Sequence, residues 1–176
     1  WCISRQRLWG VPCAFFVHKE TQEPLRDPKV MQRIIQAFEI DGSDAWFTWD
    51  PSRFLGDDYR VQDYVPVRDI VDVWLESGST HFHVLSGQQA DLYLEGSDQH
   101  RGWFQSSLLT SVGVNGRAPY KKVLTHGFVV DEQGRKMSKS IGNVMNLEDV
   151  VQQFGADVLR LWAATSQFTE DLRIGP

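Results

Sequence analysis

Apolar residues recur every three to four positions in some stretches of this chain and every second position in others, so the pattern predicts both helices and strands. The first helix signal is Asp27-Pro28, a capping residue followed by a proline suited to the first helical turn. The apolar residues that follow at helical spacing are Met31, Ile34, Ile35 and Phe38. We therefore expect an amphipathic helix that ends before Gly42.

Strands are expected where short apolar or alternating runs stop at turn residues. The runs cover residues 11–17, 65–74, 91–95 and 122–130, and the last two predict buried strands. A helix is then expected to open at Asp98, with a core stripe formed by Phe104, Leu108 and Val112. Helical spacing returns over residues 147–154 and 157–165. This alternation of strand and helix favours an α/β fold.

Composition narrows the class of protein. Of the 176 residues, 41% are hydrophobic, which is ordinary for a globular chain with a core. No run approaches about 18 consecutive apolar residues and the start lacks a secretory signal, so we expect no membrane span and a cytoplasmic protein. Cys2 and Cys13 are too few for a disulfide framework, and their spacing to His18 does not match a zinc site. No protein-bound metal is predicted, and the start at Trp1 favours a piece of a longer protein.

Charge is unevenly distributed along the chain. The net charge of −5 argues against a surface that binds nucleic acid throughout, although residues 117–139 hold six basic and two acidic side chains. The aromatic residues Trp46, Phe47 and Trp49 lie among acidic residues. We therefore interpret them as a small satellite core, with base stacking as the alternative.

The basic stretch contains the string Lys136-Met137-Ser138-Lys139-Ser140. It sets two ammonium groups and two hydroxyls between Gly134 and Gly142. Lysine is suited to following phosphate oxygens as they move, and flanking glycines let a loop close. The string therefore predicts a phosphate-binding loop, and a solvated basic loop is the alternative.

A second candidate site lies at the end of the strand expected over 91–95. The string Glu95-Gly96-Ser97-Asp98-Gln99 leaves this strand and opens a helix, an arrangement that brings ligand groups to the carboxyl edge of a parallel sheet. The helix start adds partial positive charge, and Gln99 and Trp103 share one helix face. The alternative is that Asp98 is a plain helix cap.

Several strings together carry a family resemblance. They are Trp1-Cys-Ile-Ser-Arg-Gln-Arg7, Leu94-Glu-Gly-Ser-Asp-Gln-His-Arg-Gly-Trp-Phe104, Thr125-His-Gly-Phe-Val-Val130, the lysine string and Gly155-Ala-Asp-Val-Leu-Arg-Leu-Trp162. Through them the chain resembles isoleucyl-tRNA synthetases of the bacterial type, which are class I aminoacyl-tRNA synthetases. The resemblance is weakest over residues 20–64. It implies a partial Rossmann-like α/β catalytic domain with a parallel sheet, a small peripheral α/β insert and C-terminal helices.

The resemblance also implies a division of the chain into segments. Residues 1–19 would return from an absent editing insertion, 20–64 would form the insert, 65–145 would be the second half of the catalytic core, and 146–176 would lead towards an absent anticodon-binding region. Two positions depart from the family string Asp-Val-Trp-Phe-Asp-Ser-Gly, since Leu75 stands for phenylalanine and Glu76 for aspartate.

Roles at named positions follow from the same resemblance. The lysines expected to act on the ATP phosphates are Lys136 and Lys139. The remaining ATP contacts would come from Met137, Ser138, Ser140 and His126. The aminoacyl-adenylate would be bound by Glu95, Gly96, Asp98 and Gln99. The isoleucine side chain would be walled by Trp74 and Trp103.

The implied activity is ATP-dependent formation of isoleucyl-adenylate and transfer of isoleucine to tRNA(Ile). The implied partners are isoleucine, tRNA(Ile) and ATP with its Mg²⁺ counter-ion, and the intact enzyme is expected to be a monomer. The first class I signature, His-Ile-Gly-His, does not occur in the 176 residues, so we expect the isolated chain to be nearly inactive. Two alternatives stay open: a valyl or leucyl enzyme, and a noncatalytic RNA-binding module descended from a synthetase.

Overall fold

Contacts along the chain divide the protein into two units, Trp1–Glu76 and Ser77–Pro176. The computed structural model describes residues 1–175. The segment boundaries expected at residues 19, 64 and 145 stay predictions. No helix in the described part of the chain is both long enough and apolar enough to cross a membrane.

The first unit combines short antiparallel strands with helices. Its strands are β1 (Ser4–Arg5), β2 (Phe16–His18), β3 (Tyr64–Pro66) and β4 (Ile70–Val71). Its helices are α1 (Pro28–Asp41), α2 (Ala45–Thr48), α3 (Ser52–Leu55) and α4 (Val73–Gly78), the last of which contains the boundary between the units. Strand β1 pairs with β4, and β2 pairs with β3.

Helix α1 confirms the helix predicted after Asp27. The Asp27 carboxylate accepts a hydrogen bond of 2.7 Å from the backbone N–H of Lys29, which satisfies one of the free donors of the first turn. The helix ends at Asp41 and is followed by Gly42, whose φ of +71° is easy only for glycine. Its buried residues are Val30, Ile34 and Ala37. Met31 and Ile35, expected on the buried face, are instead more than two-fifths exposed.

The core of the first unit is aromatic. The Trp46 ring is 2% exposed and lies 4.9 Å from the ring of Phe16 and 5.2 Å from that of Phe54, measured between centroids. The indole N–H of Trp46 donates a hydrogen bond of 2.7 Å to the carbonyl of Val67. These contacts confirm the interpretation of Trp46 as core.

The prediction of one strand over residues 65–74 is wrong. Strand β3 stops at Pro66, which has no N–H to continue a ladder, and β4 covers Ile70–Val71 alone. The Asp72 carboxylate then accepts a hydrogen bond of 2.8 Å from the N–H of Trp74 and so starts α4. Trp74 therefore lies in a helix rather than at a strand end.

The second unit contains the parallel strand pairs that the α/β prediction requires. Its strands are β5 (Tyr93–Gly96), β6 (Val123–His126), β7 (Val129–Val130) and β8 (Leu172–Arg173). Its helices are α5 (Thr80–His83), α6 (Trp103–Asn115), α7 (Leu147–Phe154) and α8 (Ala156–Thr165). Strand β5 pairs parallel with β6, and β7 pairs parallel with β8, so the predicted α/β class is confirmed.

Two details of this unit differ from the prediction. A 3-10 turn, Ser97–Arg101, precedes α6, which begins at Trp103 rather than at Asp98. Leu108 and Val112 of α6 are exposed, whereas the serines on its inner face are buried: Ser106, Ser107 and Ser111. Phe104 is buried as predicted. The serines can be buried beside it because Ser107 shares a hydrogen bond of 2.9 Å with the Tyr93 hydroxyl, and Ser111 donates one of 2.8 Å to the carbonyl of Arg117.

The strands expected to be buried are also less regular than predicted. In β5, Tyr93 and Gly96 are buried but Leu94 is 51% exposed. The single strand expected over residues 122–130 is divided into β6 and β7 by Gly127 and the residue after it. At this break the N–H of Gly127 donates a hydrogen bond of 2.9 Å to the carbonyl of Phe168.

Candidate functional site

The carboxyl ends of β5 and β6 meet at one edge, because the two strands are parallel. Glu95 lies in register with Thr125, and Gly96 with His126. A Cβ atom placed on Gly96 would lie 2.7 Å from Oδ1 of Asp98 and 3.5 Å from Cε1 of His126. The fold therefore brings three residues of the predicted site, Gly96, Asp98 and His126, into direct proximity, with Glu95 exposed beside them.

Gln99 connects this strand edge to the start of α6. Its side-chain NH₂ donates a hydrogen bond of 3.1 Å to Asp98, and its side-chain oxygen accepts one of 2.9 Å from the backbone N–H of Trp103. Both ends of the amide are used, so its orientation is fixed. His126 makes a hydrogen bond of 2.8 Å between Nδ1 and the carbonyl of Gly127, and a proton on Nδ1 leaves Nε2 as an acceptor.

Trp103 is held in place from two directions. Its ring stacks on Tyr93, with centroids 4.3 Å apart and planes 6° from parallel. Its indole N–H donates a hydrogen bond of 2.9 Å to the carbonyl of Ser77. A half-buried indole with one face covered and its polar group paired is a rigid apolar surface.

The lysine loop, residues 136–140, follows β7 and a tight turn. The turn and the loop end at Gly134 and Gly142, whose φ values are +76° and +74°. The Ser138 carbonyl accepts hydrogen bonds from the N–H groups of Ile141 and Gly142 at 3.2 and 3.1 Å, and the Ser138 and Ser140 hydroxyls lie 3.1 Å apart. The hydroxyls thus brace the loop.

The two ammonium groups of this loop have different surroundings. Both lysines are exposed, but the Lys136 Nζ atom lies 4.7 Å from the centroid of the Phe128 ring, a cation–π contact. Phe128 links β6 to β7, so this contact ties Lys136 to the chain that leaves the strand edge.

Asp131 and Asn143 organise the loop, although no role was predicted for either residue. The Asp131 carboxylate accepts hydrogen bonds from the Asn143 side chain at 2.9 Å, from the Arg135 N–H at 2.7 Å and from Nε of Arg135 at 2.8 Å. The Asn143 bond, followed by those from Arg135, holds the pKa of Asp131 down to about 2, although burial acts in the opposite direction. Asp131 is therefore ionised at neutral pH.

The predicted site residues fall into three places. One group lies at the β5–β6 edge and the turn after it: Glu95, Gly96, Asp98, Gln99, Trp103 and His126. A second group is the lysine loop: Lys136, Met137, Ser138, Lys139 and Ser140. Trp74 belongs to the first unit, so its role beside Trp103 stays a prediction.

The model of one protein family, described as tRNA synthetases class I (I, L, M and V), matches residues 1–175. The chain belongs to this family of class I tRNA synthetases. Among its curated relatives, the protein named isoleucine–tRNA ligase from Gluconobacter oxydans (strain 621H) is 64% identical over 99% of this chain and 19% of its own length. The isoleucine–tRNA ligase of Pelagibacter ubique (strain HTCC1062) is 56% identical over 99% of this chain and 20% of its own length.

The chain thus spans about a fifth of the length of the curated relatives it matches. A solved structure with a similar fold is the Agrobacterium radiobacter K84 agnB2 LeuRS, described as a ternary complex with tRNA and LeuAMS. It covers 99% of this chain and 25% of its own, with a TM-score of 0.66 and 20% identity. This likeness supports the predicted α/β fold of a class I synthetase.

Proposed function

We propose that this chain is part of the catalytic core of an isoleucyl-tRNA synthetase. The intact enzyme would form isoleucyl-adenylate from isoleucine and ATP and transfer isoleucine to tRNA(Ile), as a cytoplasmic monomer. The observation that carries the proposal is the register of β5 and β6, which sets Glu95-Gly96 beside Thr125-His126 at the carboxyl edge of parallel strands. The relatives named isoleucine–tRNA ligase, 64% and 56% identical, support isoleucine as the amino acid.

The strand edge suits an aminoacyl-adenylate. Glu95 is an exposed carboxylate at the end of β5, and in the proposal it binds the substrate ammonium group. In the proposal Gly96, Asp98 and Gln99 lie along the adenylate and its ribose. A Cβ at Gly96 would lie 2.7 Å from Oδ1 of Asp98, so the glycine lets the Asp98 side chain keep its position. His126 lies on the adenine side, with Nε2 as the acceptor.

The lysine loop serves the reacting phosphates in this proposal. A carboxylate oxygen of isoleucine forms a bond to the α-phosphorus of ATP, the bond from that phosphorus to the bridging oxygen breaks, and pyrophosphate leaves with the electron pair. Lys136, Lys139 and the Mg²⁺ that accompanies ATP neutralise the charge that grows on the leaving oxygens. No general base is required, because the attacking carboxylate is already ionised.

The amino-acid pocket is proposed to use tryptophan. The Trp103 ring, fixed against Tyr93, offers a rigid apolar wall to an isoleucine side chain. Trp74 is proposed as a second wall. Leu75 and Glu76 follow Trp74 in α4, so their departure from the family string affects the same helix.

Pyrophosphate exchange in the full-length protein that contains this chain tests the proposal. We expect ATP–pyrophosphate exchange with a higher kcat/KM for isoleucine than for valine or leucine. A preference for valine or leucine would assign the chain to another branch, and the lack of exchange with all three would refute the catalytic role. The isolated 176 residues are expected to give nearly no exchange.

A substitution in the loop tests the role of the ammonium groups. Lys139→Ala in the full-length protein should lower the adenylation rate by about 10²- to 10³-fold and leave the Kd for isoleucine nearly unchanged, since the ammonium acts on charge present only in the transition state. Lys122→Ala, which removes an exposed lysine before β6, is the matched control and should keep the full rate. Equal losses in rate and in isoleucine binding would exclude the transition-state role.

A further inference from the structure

Asn143 lies after the lysine loop and contacts it from both sides. Its side-chain oxygen accepts a hydrogen bond of 2.9 Å from the backbone N–H of Ser138. Its side-chain NH₂ donates to the Asp131 carboxylate at 2.9 Å and to the carbonyl of Lys136 at 3.3 Å. One amide thus joins the start of the loop, its middle and the turn before it.

Asp131 completes the connection on the other side. It is 8% exposed, and besides Asn143 it accepts hydrogen bonds from the backbone N–H groups of Gln133 and Arg135 at 3.1 and 2.7 Å. Its own N–H donates to the Arg135 carbonyl at 2.9 Å. A charged acceptor with several donors is a strong and directional anchor.

The loop between these anchors has little packing of its own. Lys139 and Ser140 are exposed, and the Ile141 side chain is 58% exposed. Apolar burial therefore does not fix the path of residues 139–141. The start of the loop is held by a bridge between Lys136 and Val130 and by the Phe128 contact, and the rest by hydrogen bonds to Asn143 and within the Ser138 turn. The backbone of Lys136 is held on both sides, because the N–H of Arg135 donates to Asp131 and the carbonyl of Lys136 accepts from Asn143.

We propose that Asp131 and Asn143, a pair that we call the latch, set the positions of Lys136 and Lys139. Asp131 and Asn143 are then positioning residues for adenylation. The inference rests on the proposed function, since it concerns the same step. In this inference the side chains of Asp131 and Asn143 do not touch substrate. Each acts through the backbone that carries the lysines. A latch of this kind changes the rate of the chemical step more than the binding of isoleucine, because isoleucine is held at the β5–β6 edge.

The latch is tested in the full-length protein with variants on both sides. Asn143→Ala should lower kcat for isoleucine-dependent pyrophosphate exchange by about ten- to hundredfold, since a displacement approaching 1 Å at a catalytic group costs about that much. The KM for isoleucine should change by less than about twofold. Asn115→Ala, which removes an exposed asparagine at the end of α6, is the matched control and should keep both values.

A pairwise exchange separates positioning from general loss of structure. Asn143→Asp alone sets two carboxylates against each other where an amide now donates at 2.9 Å, so it should be slower than Asn143→Ala. The double variant Asp131→Asn with Asn143→Asp restores an amide facing a carboxylate and should recover a large part of the lost kcat. Recovery of kcat will be incomplete, because the carboxylate introduced at position 143 cannot donate to the Lys136 carbonyl.

The outcomes distinguish the latch from the function on which it rests. A normal kcat in Asn143→Ala together with a slow Lys139→Ala would overturn the latch and leave the proposed function standing. No exchange by the unaltered protein would refute the proposed function itself. A double variant that regains the Tm but not the rate, or a KM for isoleucine that rises as far as kcat falls, would also reject the positioning role.

Discussion

The substitution Gly96→Ala probes the strand edge with a single methyl group. Gly96 has φ −66° and ψ 160°, a conformation that alanine adopts without strain. The added Cβ would lie 2.7 Å from Oδ1 of Asp98, about 0.7 Å closer than the ordinary contact of about 3.4 Å. The end of the Asp98 side chain must move, because it is exposed and flexible whereas the backbone of β5 is paired with β6.

The expected effect follows from that displacement. A misplacement of about 1 Å in a site costs about a hundredfold in rate, so a shift of about 0.7 Å corresponds to a loss of about ten- to thirtyfold in kcat/KM for ATP. This is about 1.4–2 kcal/mol in activation free energy. The free energy of unfolding should change by less than about 1 kcal/mol, since a surface side chain can move aside.

The assay is isoleucine-dependent pyrophosphate exchange in the full-length protein, with ATP varied. Gly113→Ala is the matched control, because a Cβ on Gly113 in α6 meets no atom within 4 Å. The control should keep full activity and gain about 0.5–1 kcal/mol of stability from its helical position. Full activity in Gly96→Ala would refute the assignment of Gly96 and Asp98 to the adenylate site.

Two further predictions concern the first unit. Trp46→Ala should lower the free energy of opening of the α1 amides, measured by native-state hydrogen exchange, by about 3–5 kcal/mol. Trp46→Phe should lower it by about 1–3 kcal/mol, because the Val67 carbonyl loses its donor. A loss below about 1 kcal/mol in Trp46→Ala would contradict this core. The hydrogen bond of 2.7 Å from the Tyr59 hydroxyl to Asp27 raises the pKa of Tyr59 to about 12. The same bond lowers the pKa of Asp27 from its ordinary 3.8, so the contact should stabilise the unit fully between about pH 4 and pH 10, weaken in acid, and be lost as pH rises towards 12. An ultraviolet titration of tyrosinate against Tyr59→Phe would detect the alkaline loss, and ionisation of Tyr59 near pH 10 would refute it.

Local chemistry explains which parts of the fold could be predicted from the sequence. Helix α1 was predictable because its capping carboxylate, its first-turn proline and its terminal Gly42 all act within a few residues. The buried serines of α6 were not, since Ser107 and Ser111 are paired with Tyr93 and Arg117, partners that only the fold brings near. Periodicity records apolar residues and therefore selected the exposed Leu108 and Val112 instead.

The candidate site shows the same division. The family strings pointed to the strand edge and to the lysine loop, and the structure brings Gly96, Asp98 and His126 together at that edge. Asp131 and Asn143 received no role because they are separated by the loop itself, and their contact exists only when the loop folds back. A usable signal was present, since an aspartate that starts a turn and an asparagine directly after a glycine are both suited to binding backbone groups.

The stacking of Trp103 on Tyr93 has a consequence for changing amino-acid selectivity. Tyr93 belongs to β5, and its hydroxyl is bonded to Ser107 inside α6, so the residue that supports the proposed pocket wall also joins strand to helix. A smaller residue at 103 would open space for a bulkier amino acid but would also leave the tyrosine ring uncovered. Redesign from this side therefore has to replace both aromatic residues together, and accepted variants should show paired changes at 93 and 103.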